Sequence, residues 1–115
     1  TLCEIGGASA GACYGRSLVP FLEGKEELEQ KPAYIQYSGN PSYGTVRRAV
    51  VTERYKYIYD SSHAHELYDL EKDPHEMNNV ADDPRYETVL KELYEACKRF
   101  HQDHQDYFDW EGKRK

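Results

Sequence analysis

Between Pro32 and Leu70 the chain alternates residue by residue, and after Pro84 it repeats every three or four; this change of period narrows the fold most. "AYIQYS" sets Tyr34 and Gln36 against Ile35 and Tyr37, and "RYKYIYD" sets Tyr55, Tyr57 and Tyr59 against Lys56 and Ile58. Successive side chains of a strand point to opposite faces, so each run predicts a strand with one face toward a core. "TVRRAVVT" joins "RYKYIYD" through "TER", which predicts an antiparallel hairpin. "HELYDL" predicts a shorter fourth strand, with Leu67 and Asp69 opposite Tyr68 and Leu70. Asp83 then stands where a helix N-cap is wanted and Pro84 at the first helical position. Tyr86, Val89, Leu90, Leu93, Cys97, Phe100, His104 and Phe108 follow as one apolar stripe over a helix of roughly 24 residues.

These elements predict an α+β fold: a small antiparallel β-sheet of about four strands with one long C-terminal helix packed across it. The helix covers one face. The other must be covered by the N-terminal residues or by something outside this chain. Residues 1–31 mix "GGASAGA", the apolar run "SLVPFL" and the charged run "EGKEELEQK", and read as a connecting arm; residues 32–115 read as the α+β unit. Pro20 forbids a long helix in the arm.

At 115 residues there is room for one domain with a modest core. Leu, Ile, Val and Phe supply only 20 residues, a proportion that borders on disorder, but 11 tyrosines add large apolar bodies with polar tips. A net charge of −6 excludes a phosphate-tracking nucleic-acid surface, because Arg47-Arg48, Lys98-Arg99 and Lys113-Arg114-Lys115 are too short to form a basic stripe. No apolar run approaches the roughly 18 residues of a membrane span, and no signal-peptide pattern opens the chain. The chain starts on "TLCEIGGA", inside what reads as a turn of helix, which leads us to expect its native N-terminus further upstream.

The stretch "ELYDLEKDPHEMNN" concentrates Glu66, Asp69, Glu71, Asp73 and Glu76 and invites a test as a metal site. Asp69, Glu71 and Asp73 match the first three ligand positions of an EF-hand, but Pro74 replaces the obligatory glycine and Val80 the bidentate glutamate. No metal ligands are assigned. His63 and His65 form an H-x-H pair without a third zinc ligand, expected as a solvated loop pair, and His104 is expected as a partly buried helix histidine. Cys3, Cys13 and Cys97 form no C-x-x-C pair, and the serines no G-x-S-x-G elbow. On its own residues the chain does not hold a complete active site, and no catalytic residue is assigned.

Taken in register, "YGRSLVPFLEG", "RRAVVTERYKYIYD" and "ELYDLEKDPHEMNNVADDPRY" followed by an amphipathic helix resemble the C-terminal part of a sulfatase, a member of the alkaline-phosphatase superfamily. The resemblance implies an antiparallel sheet with a long helix, appended to an N-terminal catalytic domain that this chain lacks. It also implies that the parent uses calcium and a formylglycine made from Cys or Ser in Cys/Ser-x-Pro-x-Arg, acts on a sulfated substrate, and is periplasmic or secreted. None of the cysteines fits that motif. Cys13 comes nearest, with Gly15 where Pro is needed and Arg16 one position early. The fragment alone is therefore expected to be inactive and, with a surface uncovered, to self-associate.

The resemblance places the loops 39–44 ("GNPSYG") and 60–65 near the mouth of a substrate pocket. Tyr43 would stack on a ring, and Arg47, Arg48 or His63 would meet an anionic group. Arg48 can equally brace the sheet and Tyr43 fill a domain contact. Two other readings compete: a stand-alone tyrosine-rich module that binds carbohydrate or protein, and the tail of a phosphate or phosphonate ester hydrolase.

Overall fold

The structure, a computed structural model, describes residues 1–13, 15–27, 29, 31–39, 46–61, 64–106 and 110. They fall into two compact units, Thr1–Gln30 and Lys31–Lys115. The first holds two single-turn helices, α1 (Leu2–Ile5) and α2 (Val19–Leu22). Gly7, at φ +70, lets the chain turn away after α1. Pro20 sits in the first turn of α2, where its missing N–H leaves no acceptor unsatisfied. Cys3 and Cys13 are exposed free thiols.

The second unit contains the expected sheet. Strands β1 (Ala33–Tyr37), β2 (Arg47–Val51), β3 (Tyr55–Asp60) and β4 (Glu66–Asp69) lie in sequence order, each antiparallel to the next. The register pairs Tyr34 with Val50, Val50 with Tyr57, and Tyr57 with Leu67. Because side chains alternate along each strand, that row and its neighbours Gln36, Arg48, Tyr59, Tyr55 and Asp69 leave one face. Helix α3 (Glu87–Asp103) packs there, bringing Leu93 and Cys97 against Val50, Tyr57 and Leu67. Tyr34 stacks on Phe100 at 3.8 Å between ring centroids, and Phe100 on His104 at 3.9 Å. The tyrosine bodies thus supply apolar area that the aliphatic residues do not.

The opposite face carries Ile35, Tyr37, Arg47, Ala49, Val51, Lys56, Ile58, Asp60 and Tyr68. Ile35 and Tyr37 are about half exposed, at 49% and 56%.

The helix is shorter than its sequence pattern predicts. Asp83 does act as an N-cap, its carboxylate accepting from Arg85 N at 3.0 Å, but what it caps is a 3₁₀ turn, Pro84–Tyr86, from which α3 starts. At the other end His104 caps α3 and Gln105 takes φ +57, so the chain reverses. The reversal brings Asp106 back beneath the sheet, where its amide donates to His101 O. Phe108, the last residue of the predicted stripe, lies outside the described residues.

Candidate functional site

One end of the sheet collects the roots of the two loops singled out above. Val46 N donates to Ser61 Oγ at 3.1 Å and Ser61 N to Val46 O at 3.0 Å, so the chain enters and leaves the two loops at one paired rung. Beside that rung Arg47 Nε donates to Asp60 Oδ2 at 2.7 Å; the Arg47 side chain is 45% exposed, that of Asp60 fully enclosed. Tyr43 and His63, the other two rim residues expected at this end, lie outside the described residues.

Arg48 points the opposite way. It is fully buried, and its guanidinium donates to Asp106 through Nε (2.5 Å) and Nη2 (2.8 Å) and to the carbonyls of Tyr37 (3.1 Å) and Arg47 (2.8 Å) through Nη1. This geometry ties β1, β2 and the residue after the helix reversal together, which is the bracing role. His101, fully buried on α3, places Nδ1 3.0 Å from Gln36 Nε2 and 3.6 Å from Asp106 Oδ2. Burial lowers its pKa, so the cluster favours a neutral imidazole beside the Arg48–Asp106 pair.

The H-x-H pair needs correcting. His63 lies outside the described residues, and His65 is half-buried and engaged: Nδ1 lies 2.6 Å from Tyr57 Oη, the ring packs on Tyr59 and Tyr94, and burial lowers its pKa. Burial also pushes the Tyr57 phenol well above its ordinary range, so it stays protonated and able to donate to the imidazole.

The acidic stretch spends its carboxylates inside the chain. Asp69 accepts from Arg54 Nε and Nη2 at 3.2 and 3.1 Å and from Tyr86 Oη at 3.2 Å, with Lys72 Nζ 3.4 Å away. Asp73 accepts from Asn78 N at 2.7 Å, Glu76 from Lys56 at 2.5 Å and Glu66 from Tyr68 Oη at 2.7 Å, while Glu71 lies 3.2 Å from Arg54 Nε. Among the described residues no three His, Cys, Asp or Glu side chains converge on a point that would hold a cation. A calcium site therefore does not fit the described residues. Cys3 and Cys13 are exposed free thiols, and burial pushes the Cys97 thiol up to about 12, which keeps it protonated.

Asp69 makes a pH prediction. The hydrogen bonds from Arg54, helped by Lys72 and Tyr86, hold its carboxyl at about 2, and Arg85 holds Asp83 at about 2. A carboxylate with a folded pKa below its unfolded value near 4 adds stability that is complete above roughly pH 4 and is lost as pH falls toward 2. Urea midpoints should therefore hold between about pH 7 and 5 and drop between about pH 4 and 2. Asp69→Asn should lower the midpoint at neutral pH and flatten the drop; a drop of unchanged depth in that variant would locate the acid sensitivity elsewhere.

Residues 1–103 match the family model described as N-sulphoglucosamine sulphohydrolase, C-terminal. The chain is 38% identical over 97 residues to a Δ4,5-hexuronate-2-O-sulfatase of Bacteroides thetaiotaomicron, an alignment covering 80% of this chain and 20% of that protein. It superposes on a solved 2-O GAG sulfatase with a TM-score of 0.80 and 32% identity, covering 92% of this chain and 24% of the other. A phosphonate monoester hydrolase of Agrobacterium radiobacter superposes with a TM-score of 0.74 and 29% identity, covering 90% and 24%. The chain thus spans about a fifth to a quarter of the length of the relatives it matches.

Proposed function

Because the chain belongs to the N-sulphoglucosamine sulphohydrolase C-terminal family, we propose that it serves as the C-terminal subdomain of a larger sulfate-ester hydrolase, completing that enzyme's fold and the rim of its substrate pocket. The observation that carries this reading is the asymmetry of coverage: four-fifths of this chain aligns with one-fifth of a hexuronate 2-O-sulfatase. The formylglycine and the calcium of such an enzyme would come from an N-terminal catalytic domain outside this chain, and the chain's own contribution is positional. The reciprocal bonds of Val46 and Ser61 join the chain just after the first loop to the start of the second, and Arg47 stands beside that rung. Arg48 is engaged by Asp106 and is left out of the rim.

A second reading keeps the fold and changes the ester. The likeness to a phosphonate monoester hydrolase supports a tail that serves phosphate or phosphonate esters, since the subdomain carries none of the chemistry that separates sulfur from phosphorus.

Both readings are tested by assaying an aryl sulfate and an aryl phosphonate with this chain alone and with the chain joined to its catalytic domain. The expected result is turnover of the sulfate by the joined protein and none by the chain alone. Turnover by the chain alone would overturn the proposal, and turnover of the phosphonate alone by the joined protein would select the second reading. Sedimentation of the chain alone should show self-association through apolar side chains that it leaves exposed, such as Leu2 and Ile5.

A further inference from the structure

The loop end of the sheet carries a row of three side chains on the face opposite α3. Tyr37, Arg47 and Asp60 are successive cross-strand partners on β1, β2 and β3, so they leave the same face. Directly opposed residues place their Cβ atoms about 5 Å apart. The enclosed Asp60 carboxylate accepts from Arg47 Nε. Among the described residues neither terminal nitrogen of that guanidinium has a hydrogen-bond partner. Asp60 thus holds the guanidinium by its Nε edge, and the Arg47 side chain stays 45% exposed. Tyr37, its cross-strand partner, is 56% exposed, and its hydroxyl has no partner among the described residues.

We propose that Tyr37, Arg47 and Asp60 form a subsite for one anionic sugar unit, with Arg47 donating through both Nη groups to its carboxylate or sulfate and Tyr37 stacking on its ring. Asp60 is a positioning residue: it holds the guanidinium and cancels its charge. A neutral pair on a chain of net charge −6 gives little pull on a polyanion, so selection rests on fork geometry and ring contact. The subsite deepens the sulfatase reading and rests on it only for bringing sugars to this end of the sheet.

Titration of the ¹⁵N-labelled chain with glucuronate, glucose, acetate and inorganic sulfate, read at Arg47 Nε–H and at the Tyr37 amide, tests the subsite. Glucuronate should bind with a millimolar midpoint, about tenfold tighter than acetate or glucose, because fork and ring act together. Tyr37→Leu should erase the preference over acetate and leave acetate itself unchanged. Arg47→Lys keeps the charge, loses the fork and should raise the glucuronate midpoint about fivefold, whereas Asp60→Asn keeps an acceptor for Nε but removes the cancelling charge and should tighten glucuronate and acetate alike. If Asp60→Asn does not fold, the other two variants decide. An unchanged midpoint in Arg47→Lys overturns the subsite, as does equal binding of acetate and glucuronate that ignores Tyr37→Leu, which would assign the guanidinium to a protein carboxylate. Tight binding of sulfate alone, indifferent to Tyr37, also overturns it. None of these readings involves turnover, so a failed subsite leaves the sulfatase reading standing, and a failed sulfatase assay leaves the titration unaffected.

Discussion

Asp106→Ala is expected to lower the unfolding free energy by about 3–5 kcal/mol, because it leaves the Arg48 guanidinium buried without its counter-charge. The wild-type pair is enclosed at both ends, with side-chain exposures of 0% and 1%. Total stabilities of small domains run from about 5 to 15 kcal/mol, so this one change should bring the chain close to unfolding at room temperature. Trp110 is the only tryptophan, is buried and packs on Tyr59 and Tyr94, which makes its fluorescence a direct reporter in urea. Asp106→Asn keeps two acceptor lone pairs on one atom and should lose roughly half as much. Arg48→Met in the Asp106→Leu background should recover part of the loss and not all of it, since the carbonyls of Tyr37 and Arg47 would still lack their donor. A urea midpoint for Asp106→Ala within error of wild type would show that the pair is hydrated in solution and does not brace the sheet.

That pair also marks where the sequence stops being legible. The sequence texture identified all four strands, and period-2 alternation divided the side chains of β1, β3 and β4 between two faces, since a one-residue slip would exchange Tyr57 for Lys56. It did not reveal the partner of Arg48, which lies 58 residues away and beyond a helix end, with no local pattern to link the two. The extended stripe through His104 and Phe108 assumed an uninterrupted helix, whereas the chain reverses at Gln105 to deliver Asp106. His101 was available to a stricter reading. A residue four after Cys97 is offset by about 40° around the helix, and one three after it by about 60°, so His101 shares the Cys97 direction more closely than Phe100 does. The predicted stripe instead runs through Phe100 and His104. The sequence singles out Arg47 as a candidate rim residue, whereas its ion pair with Asp60 appears only once β2 and β3 are in register.

Leu67→Ala should destabilise the chain by about 2–5 kcal/mol, and its contrast with Asn79→Ala shows how the acidic stretch is held. Leu67 is fully buried and packs in one cluster with Val50, Tyr57 and Cys97, so truncation leaves a cavity under the sheet. Its own amide donates to Asn79 Oδ1 at 2.9 Å, Ala81 N donates to the same oxygen at 3.0 Å, and Asn79 Nδ2 donates to His65 O at 3.1 Å. A side-chain amide thus stands in for a fifth strand along the edge of β4, and Val80 N donates to Leu67 O at 2.9 Å beside it. Asn79→Ala removes three hydrogen bonds near the surface, where water replaces some of them, and should lose about 1–2 kcal/mol. The two losses should also be coupled, since both act on the same residue of β4, and the double variant should fall short of their sum by about 0.5 kcal/mol or more. Amide hydrogen exchange separates the roles: Asn79→Ala should speed exchange at the Leu67 and Ala81 amides far more than at Val50 or Tyr57, whereas Leu67→Ala should speed exchange throughout the sheet. Uniform acceleration in both variants would mean that the link opens only with the whole domain. On the expected pattern, the carboxylates of residues 66–76 serve a segment that Leu67 anchors in the core and Asn79 fastens to the sheet edge.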